Sequence, residues 1–258
     1  MLGKLLKYEL KSTARTFIPL YIAILLVSIV NGFSLSAEMF KIQGLSTMLL
    51  VGLFIALLVI NIVVIVQRFK KNLLEDEGYL MFTLPVSPKM LVLSKYIVSV
   101  IWTILSGLVA MLVFMLVAFI SSNGDIKILE VFNTLTQAMR DYNIWSVFLS
   151  MLILILCGYS TFIFTIYTSL SLGQLPIFNK HRIAASLVSF FVINSIISTI
   201  QNKLAMYINT SVEMINIDGV LQTTSNNGLF ANIALQLVIL VCLFIGTSYI
   251  LENKLNLE

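Results

Sequence analysis

The chain has 258 residues, of which 59% are hydrophobic and 11% charged, with a net charge of +4. A soluble domain carries roughly 25% charged residues, so most of this chain cannot face water and lipid is its expected solvent. The cations flank apolar runs instead of clustering on one stretch, which excludes nucleic acid as the expected partner.

Residues 1–16 come first. Lys4, Lys7, Lys11 and Arg15 recur at helical spacing and stack on one face, with Leu2, Leu5, Leu6 and Leu10 on the other. This pattern predicts an amphipathic elbow helix lying in the headgroup layer, apolar side down, with membrane lipids as its partners. Six apolar stretches follow, at 17–36, 45–66, 97–120, 144–170, 183–200 and 229–250, and none contains Asp, Glu, Lys, Arg or His. Crossing ~30 Å of hydrocarbon takes roughly 20 such residues in a helix. The expected fold is therefore an all-α membrane protein, with six transmembrane helices behind an interfacial elbow helix, in one domain over 1–258. Ser34-Leu35-Ser36-Ala37 loosely resembles a signal-peptide cleavage site. The first apolar run is longer than a signal core of about 7–15 residues, so it is expected to stay as a span.

Twelve of the 16 Lys and Arg lie on one set of alternate loops, while the acids divide evenly between the two sets. Positive residues mark the cytoplasmic side, which predicts that both termini are cytoplasmic. Cys157 and Cys242 fall in separate spans and read as structural thiols.

The cytoplasmic segment 67–95 opens with Arg68, Lys70 and Lys71. The acidic group Glu75, Asp76 and Glu77 follows, then Gly78 and the apolar run Tyr79, Leu80, Met81 and Phe82. A loop that carries such a run needs something to cover it, and this one reads as a docking plug for another protein. Ser87-Pro88 is a helix start, with serine as N-cap and proline at the first helical position. Lys89 and Lys95 are expected to extend their ammonium groups to the headgroups.

Outside the membrane, Asn123-Gly124-Asp125 followed by Ile128, Phe132, Leu135 and Met139 predicts a capped amphipathic helix within 121–143. The segment 201–228 holds Leu204, Met206, Tyr207, Ile208, Met214, Ile215 and Ile217, too apolar for a free loop. Polar residues within the spans, among them Asn31, Asn61, Ser106, Thr165, Asn194 and Ser198, are neutral and suited to bonding between helices. His181, between Lys180 and Arg182, reads as a surface residue at a helix start. The chain contains no G-x-x-x-x-G-K-[ST], H-E-x-x-H or G-x-S-x-G, so it is not expected to be an enzyme by itself or to hold a metal.

The run Glu75-Asp76-Glu77-Gly78-Tyr79-Leu80-Met81-Phe82-Thr83-Leu84-Pro85-Val86-Ser87, with Leu93-Ser94-Lys95, resembles the loop between the second and third spans of bacterial ABC transporter permeases of the type-2 exporter class. The opening Met1-Leu2-Gly3-Lys4-Leu5-Leu6-Lys7-Tyr8-Glu9-Leu10-Lys11 is similar to their elbow, and the layout of six spans covers nearly the whole chain. The resemblance implies that Glu75, Asp76, Glu77, Gly78, Tyr79, Leu80 and Phe82 form a coupling helix seated on a separate ATPase subunit. Gly173–Arg182, with Lys180, His181 and Arg182, would be a smaller second contact. ATP and Mg would be bound by that partner, and this chain would carry no cofactor. Two ATPases and a second permease, a copy or a sister chain, would complete a complex in the bacterial cytoplasmic membrane. The second and fifth spans would line the path, making Asn61, Phe190, Phe191, Asn194 and Ser198 its candidate residues, with elements of 201–228 capping the exit. Small permeases of this layout resemble exporters of amphipathic cytolytic or antimicrobial peptides, such as the phenol-soluble modulin exporters, so an exported peptide is the expected cargo. Efflux of small hydrophobic molecules or lipids is the alternative within the class, and a membrane assembly protein without an ATPase is the alternative outside it.

Overall fold

The computed structural model describes residues 2–74, 87–122, 133, 134, 136, 137, 140, 145–178, 180–208 and 226–253. Its long elements are all helical: α1 (Leu2–Ser36), α2 (Phe40–Leu73), α3 (Pro88–Ser121), α4 (Trp145–Gly173), α5 (Arg182–Ile208) and α6 (Asn226–Asn253). Each is long and apolar enough to cross a membrane, and no strand occurs among the described residues. An all-helical, multi-pass membrane protein is the architecture these six helices suggest.

The helices outrun the apolar stretches that predicted them. At 1.5 Å per residue the 35 residues of α1 reach about 50 Å, well beyond a hydrocarbon layer. The expected elbow and the first span are one helix here, which continues through Pro19. Lys4, Lys7, Lys11 and Arg15 are exposed along it, and the four leucines opposite are half-buried. What turns inward is a ridge of every fourth residue, Glu9, Thr13 and Phe17, continued by Ile24, Ser28 and Asn31. Two polar side chains and an aromatic ring in the same row require a packed partner, and α3 supplies it. The α3 N-terminus is built as its sequence predicts. Helix begins at Pro88, and the Ser87 carbonyl accepts from the amides of Met90 and Leu91.

The chain divides into two compact units, Met1–Arg68 with Leu93–Ala138, and Phe69–Val92 with Met139–Glu258. The first packs α1, most of α2 and most of α3 around Phe17, Ile24, Leu57, Val98, Trp102 and Val113. Phe17 stacks on Trp102 with ring centroids 4.6 Å apart. At the far end, the Asn31 carboxamide donates to Ser46 Oγ at 3.1 Å and Thr47 Oγ1 at 2.7 Å, tying α1 to α2. In the second unit α4 packs against both α5 and α6. Phe69 stacks on Tyr167 at 4.1 Å, and Thr168 and Thr247 hydroxyls meet at 2.8 Å between α4 and α6.

The external helix expected from Ile128, Phe132, Leu135 and Met139 falls on positions outside the described residues. Part of the 201–228 segment is a continuation of α5, which runs to Ile208, and 209–225 lie outside the described residues.

Candidate functional site

Three places carry side chains with functional potential: the exposed face of α5, the connector between α4 and α5, and a polar seam between α1 and α3.

On α5, Phe190 and Phe191 meet edge to face at 5.7 Å, and Phe190 also meets Phe162 of α4 at 6.2 Å. Phe190 is thus half-buried against α4, while Phe191, Asn194 and Ser198 are exposed. Ser195 and Thr199 widen the same polar stripe, and Thr199 Oγ1 is satisfied by the Ser195 carbonyl. The four expected path residues on α5 therefore share one side of one helix. Asn61 behaves differently. It lies in the first unit, where its carboxamide donates to Ser106 Oγ of α3 at 3.2 Å and to the Leu57 carbonyl at 3.3 Å. Ser106 Oγ also sits 2.8 Å from the Tyr21 hydroxyl, so Asn61 joins a three-helix hydrogen-bonded node.

The α4–α5 connector is short and tightly wound. Pro176–Phe178 form one 3-10 turn, the Phe178 amide donates to the Leu175 carbonyl, and the His181 amide donates to the Phe178 carbonyl. The His181 carbonyl in turn accepts from Ala185, opening α5. This winding leaves Lys180 and His181 exposed and Arg182 half-buried, and it thrusts out Ile177, which is 83% exposed. Sequence reading singled out the charges here and missed the apolar tip, though Pro176-Ile177-Phe178 between two helices was the available signal. Gly173 sets the geometry: a Cβ there would lie 2.7 Å from the Arg182 carbonyl oxygen and run into the Ser186 side chain. Because the obstacle is backbone, Gly173→Ala is expected to destabilise the second unit by about 1–3 kcal/mol. Thermal unfolding of the purified chain in detergent measures this, and an unchanged midpoint would mean that the helix ends part at no cost.

The seam was not foreseen. Lys95, expected to reach the headgroups, is instead buried and donates to the Glu9 carboxylate, with side-chain exposures of 3% and 10%. One turn further in, Trp102 Nε1 donates to Thr13 Oγ1 at 2.6 Å, and Thr13 donates to the Glu9 carbonyl at 2.8 Å. A buried charge pair is kept only where both partners are held by geometry and further hydrogen bonds, and the stacked Phe17–Trp102 rings close the seam on its inner side. Arg68 of α2 reaches the rim, where Nη2 donates to Ser12 Oγ at 2.6 Å. A cavity of about 10 Å³ lies among Glu9, Thr13, Asn61, Arg68, Lys95 and Trp102, room for about one water.

Glu75, Asp76, Glu77, Gly78, Tyr79, Leu80 and Phe82 lie outside the described residues. No group of three or more His, Cys, Asp or Glu comes together among the described residues. Comparison of the chain with protein families, with curated proteins and with solved structures returns no match.

Proposed function

We propose that this chain is the membrane-spanning permease subunit of an ATP-driven exporter of the ABC type-2 class, forming half of a path for amphipathic peptides. The observation that carries this reading is the exposed face of α5. Between residues 183 and 200 the helix is uncharged, yet Phe191, Asn194, Ser195 and Ser198 stand on its outer side. A carboxamide facing hydrocarbon has no partner and costs several kcal/mol. Such a face is expected to meet a second permease chain or an aqueous path, and aromatic rings interleaved with amide and hydroxyl groups suit a cargo that has both apolar and polar sides. Spans free of charge also fit transport driven by a separate ATPase, since ion-coupled carriers keep ionisable groups in the membrane to do that work.

The reading is tested by co-expression with a candidate ATPase, purification of the complex, and measurement of peptide-stimulated ATP hydrolysis. Asn194→Leu should lower that stimulation several-fold, whereas Asn61→Leu should act on stability, by about 1 kcal/mol, through the lost bond to Ser106. Equal stimulation in wild type and Asn194→Leu would remove α5 from the path. Stimulation by a lipid or a small hydrophobic drug, with none by any amphipathic peptide, would replace the cargo class. A chain that binds no ATPase would return it to the membrane assembly proteins.

A further inference from the structure

Over two turns, α4 is enclosed on every side. The seven consecutive residues 163–169 are all buried, and seven residues make about two turns of helix. A helix at the rim of a bundle leaves one face open, so this stretch has neighbours all around its axis. Phe164 meets Phe244 of α6 edge to face at 5.6 Å. Towards α5, Phe162 meets Phe190, and Ser189 Oγ donates to the Ser169 carbonyl at 3.2 Å. On a third side Phe69 of α2 lies nearly flat on Tyr167, with 0% and 1% of their surfaces exposed.

The place of Phe69 in the chain gives this contact its meaning. Phe69 and Leu73 at the end of α2, and Leu91 and Val92 at the start of α3, are buried and belong to the second unit. Both ends that flank the sequence 75–86 are therefore fixed in the same compact unit as α4 and α5. Motion imposed on that sequence reaches Tyr167 through Phe69, because a close-packed interior passes a displacement on in place of absorbing it. From α4 it reaches Phe190, the neighbour of Phe191 on the exposed α5 face.

We propose that the Phe69–Tyr167 stack is the joint through which an ATPase seated between α2 and α3 moves α4, and with it the α5 face. This inference rests on the permease reading above and deepens it. Phe69 and Tyr167 are positioning residues: being buried, they act through α4 and not by touching ATPase or cargo.

The test uses the complex of the full chain with its ATPase, in a chain carrying Cys157→Ala and Cys242→Ala. An environment-sensitive fluorophore is attached through Ile196→Cys, at an exposed position of α5. Co-purification, ATP hydrolysis, thermal unfolding and the fluorescence change on adding ATP are read together. ATP should change the fluorescence of the otherwise unsubstituted complex. Phe69→Leu and Phe69→Met remove the ring but keep an apolar side chain in its place. Both should still hold the ATPase and hydrolyse ATP, while the fluorescence response falls about fivefold or more, as for a typical coupling between sites. Tyr167→Phe keeps the ring and should keep the response. Phe17→Leu removes an equally buried stacked ring of the first unit, and should lower the unfolding midpoint like Phe69→Leu yet leave the response intact. A full response in both Phe69 variants overturns the joint and leaves the permease reading standing. An equal loss in Phe17→Leu makes it a general effect of stability, and one in Tyr167→Phe places it on the hydroxyl; either overturns the stack as the joint. If the ATPase is bound but ATP leaves the α5 probe unchanged in the unsubstituted complex, the transmission itself is overturned. If no ATPase co-purifies with that chain, the permease reading falls and the joint with it.

Discussion

Lys95→Met should lower the stability of the chain by about 3–5 kcal/mol, the cost of leaving a buried carboxylate without its partner. Glu9 has 8% of its surface exposed and Lys95 4%, so neither charge can turn to water without pulling α1 off α3. The double substitution Glu9→Leu with Lys95→Met should recover most of the loss, because apolar groups of similar volume need no compensation. Thermal unfolding of the four chains in one detergent gives the coupling directly. If Lys95→Met unfolds at the wild-type midpoint, the pair is accessible to solvent and the seam is not a structural joint. If the double variant is as unstable as the single, the charges have further partners that the cycle has exposed.

On the proposed reading as an ABC permease, Tyr79→Ala with Phe82→Ala should abolish cargo-stimulated ATP hydrolysis while the chain still inserts. The motivating observation is an acidic triplet followed by a run of apolar residues in the sequence between α2 and α3. Truncating two aromatic anchors at the centre of an interface typically costs roughly 2 kcal/mol or more each, enough to release an ATPase held at micromolar affinity. Co-purification of the ATPase separates lost docking from lost coupling. Undiminished export by the double variant would take the contact away from this segment and leave Ile177 and Phe178 of the α4–α5 connector as the next apolar surface to test.

The spans were legible because hydrocarbon imposes one demand, a run of about 20 residues without charge, and that demand leaves a gap in the charge pattern at every crossing. Helix ends followed from local chemistry where it was present, as at Ser87-Pro88. The seam was hidden for a physical reason. Glu9 and Lys95 are 86 residues apart, and neither points to the other: Glu9 sits in a row of exposed cations, and Lys95 at the start of a span where a snorkelling lysine is ordinary. Only the fourfold spacing Glu9, Thr13, Phe17 hinted that the inward face of α1 was polar at its base. The leucine face drew the eye instead, and with it an elbow separate from the span. Asn61 shows the same limit: nothing in a lone polar residue of a span told that it would bond to Ser106 of another helix.

The seam also bears on how the protein is made. As α1 leaves the ribosome it carries Glu9 and Thr13 on one side and Asn31 further along, and the groups that satisfy the first two, Lys95 and Trp102, are not synthesised until two more helices have followed. During that interval the base of α1 has no partner from α3, and the α1–α3 joint stays open. That joint can close only once the third helix has been made. Assembly of this unit is in that sense a joint act of helices far apart in the chain.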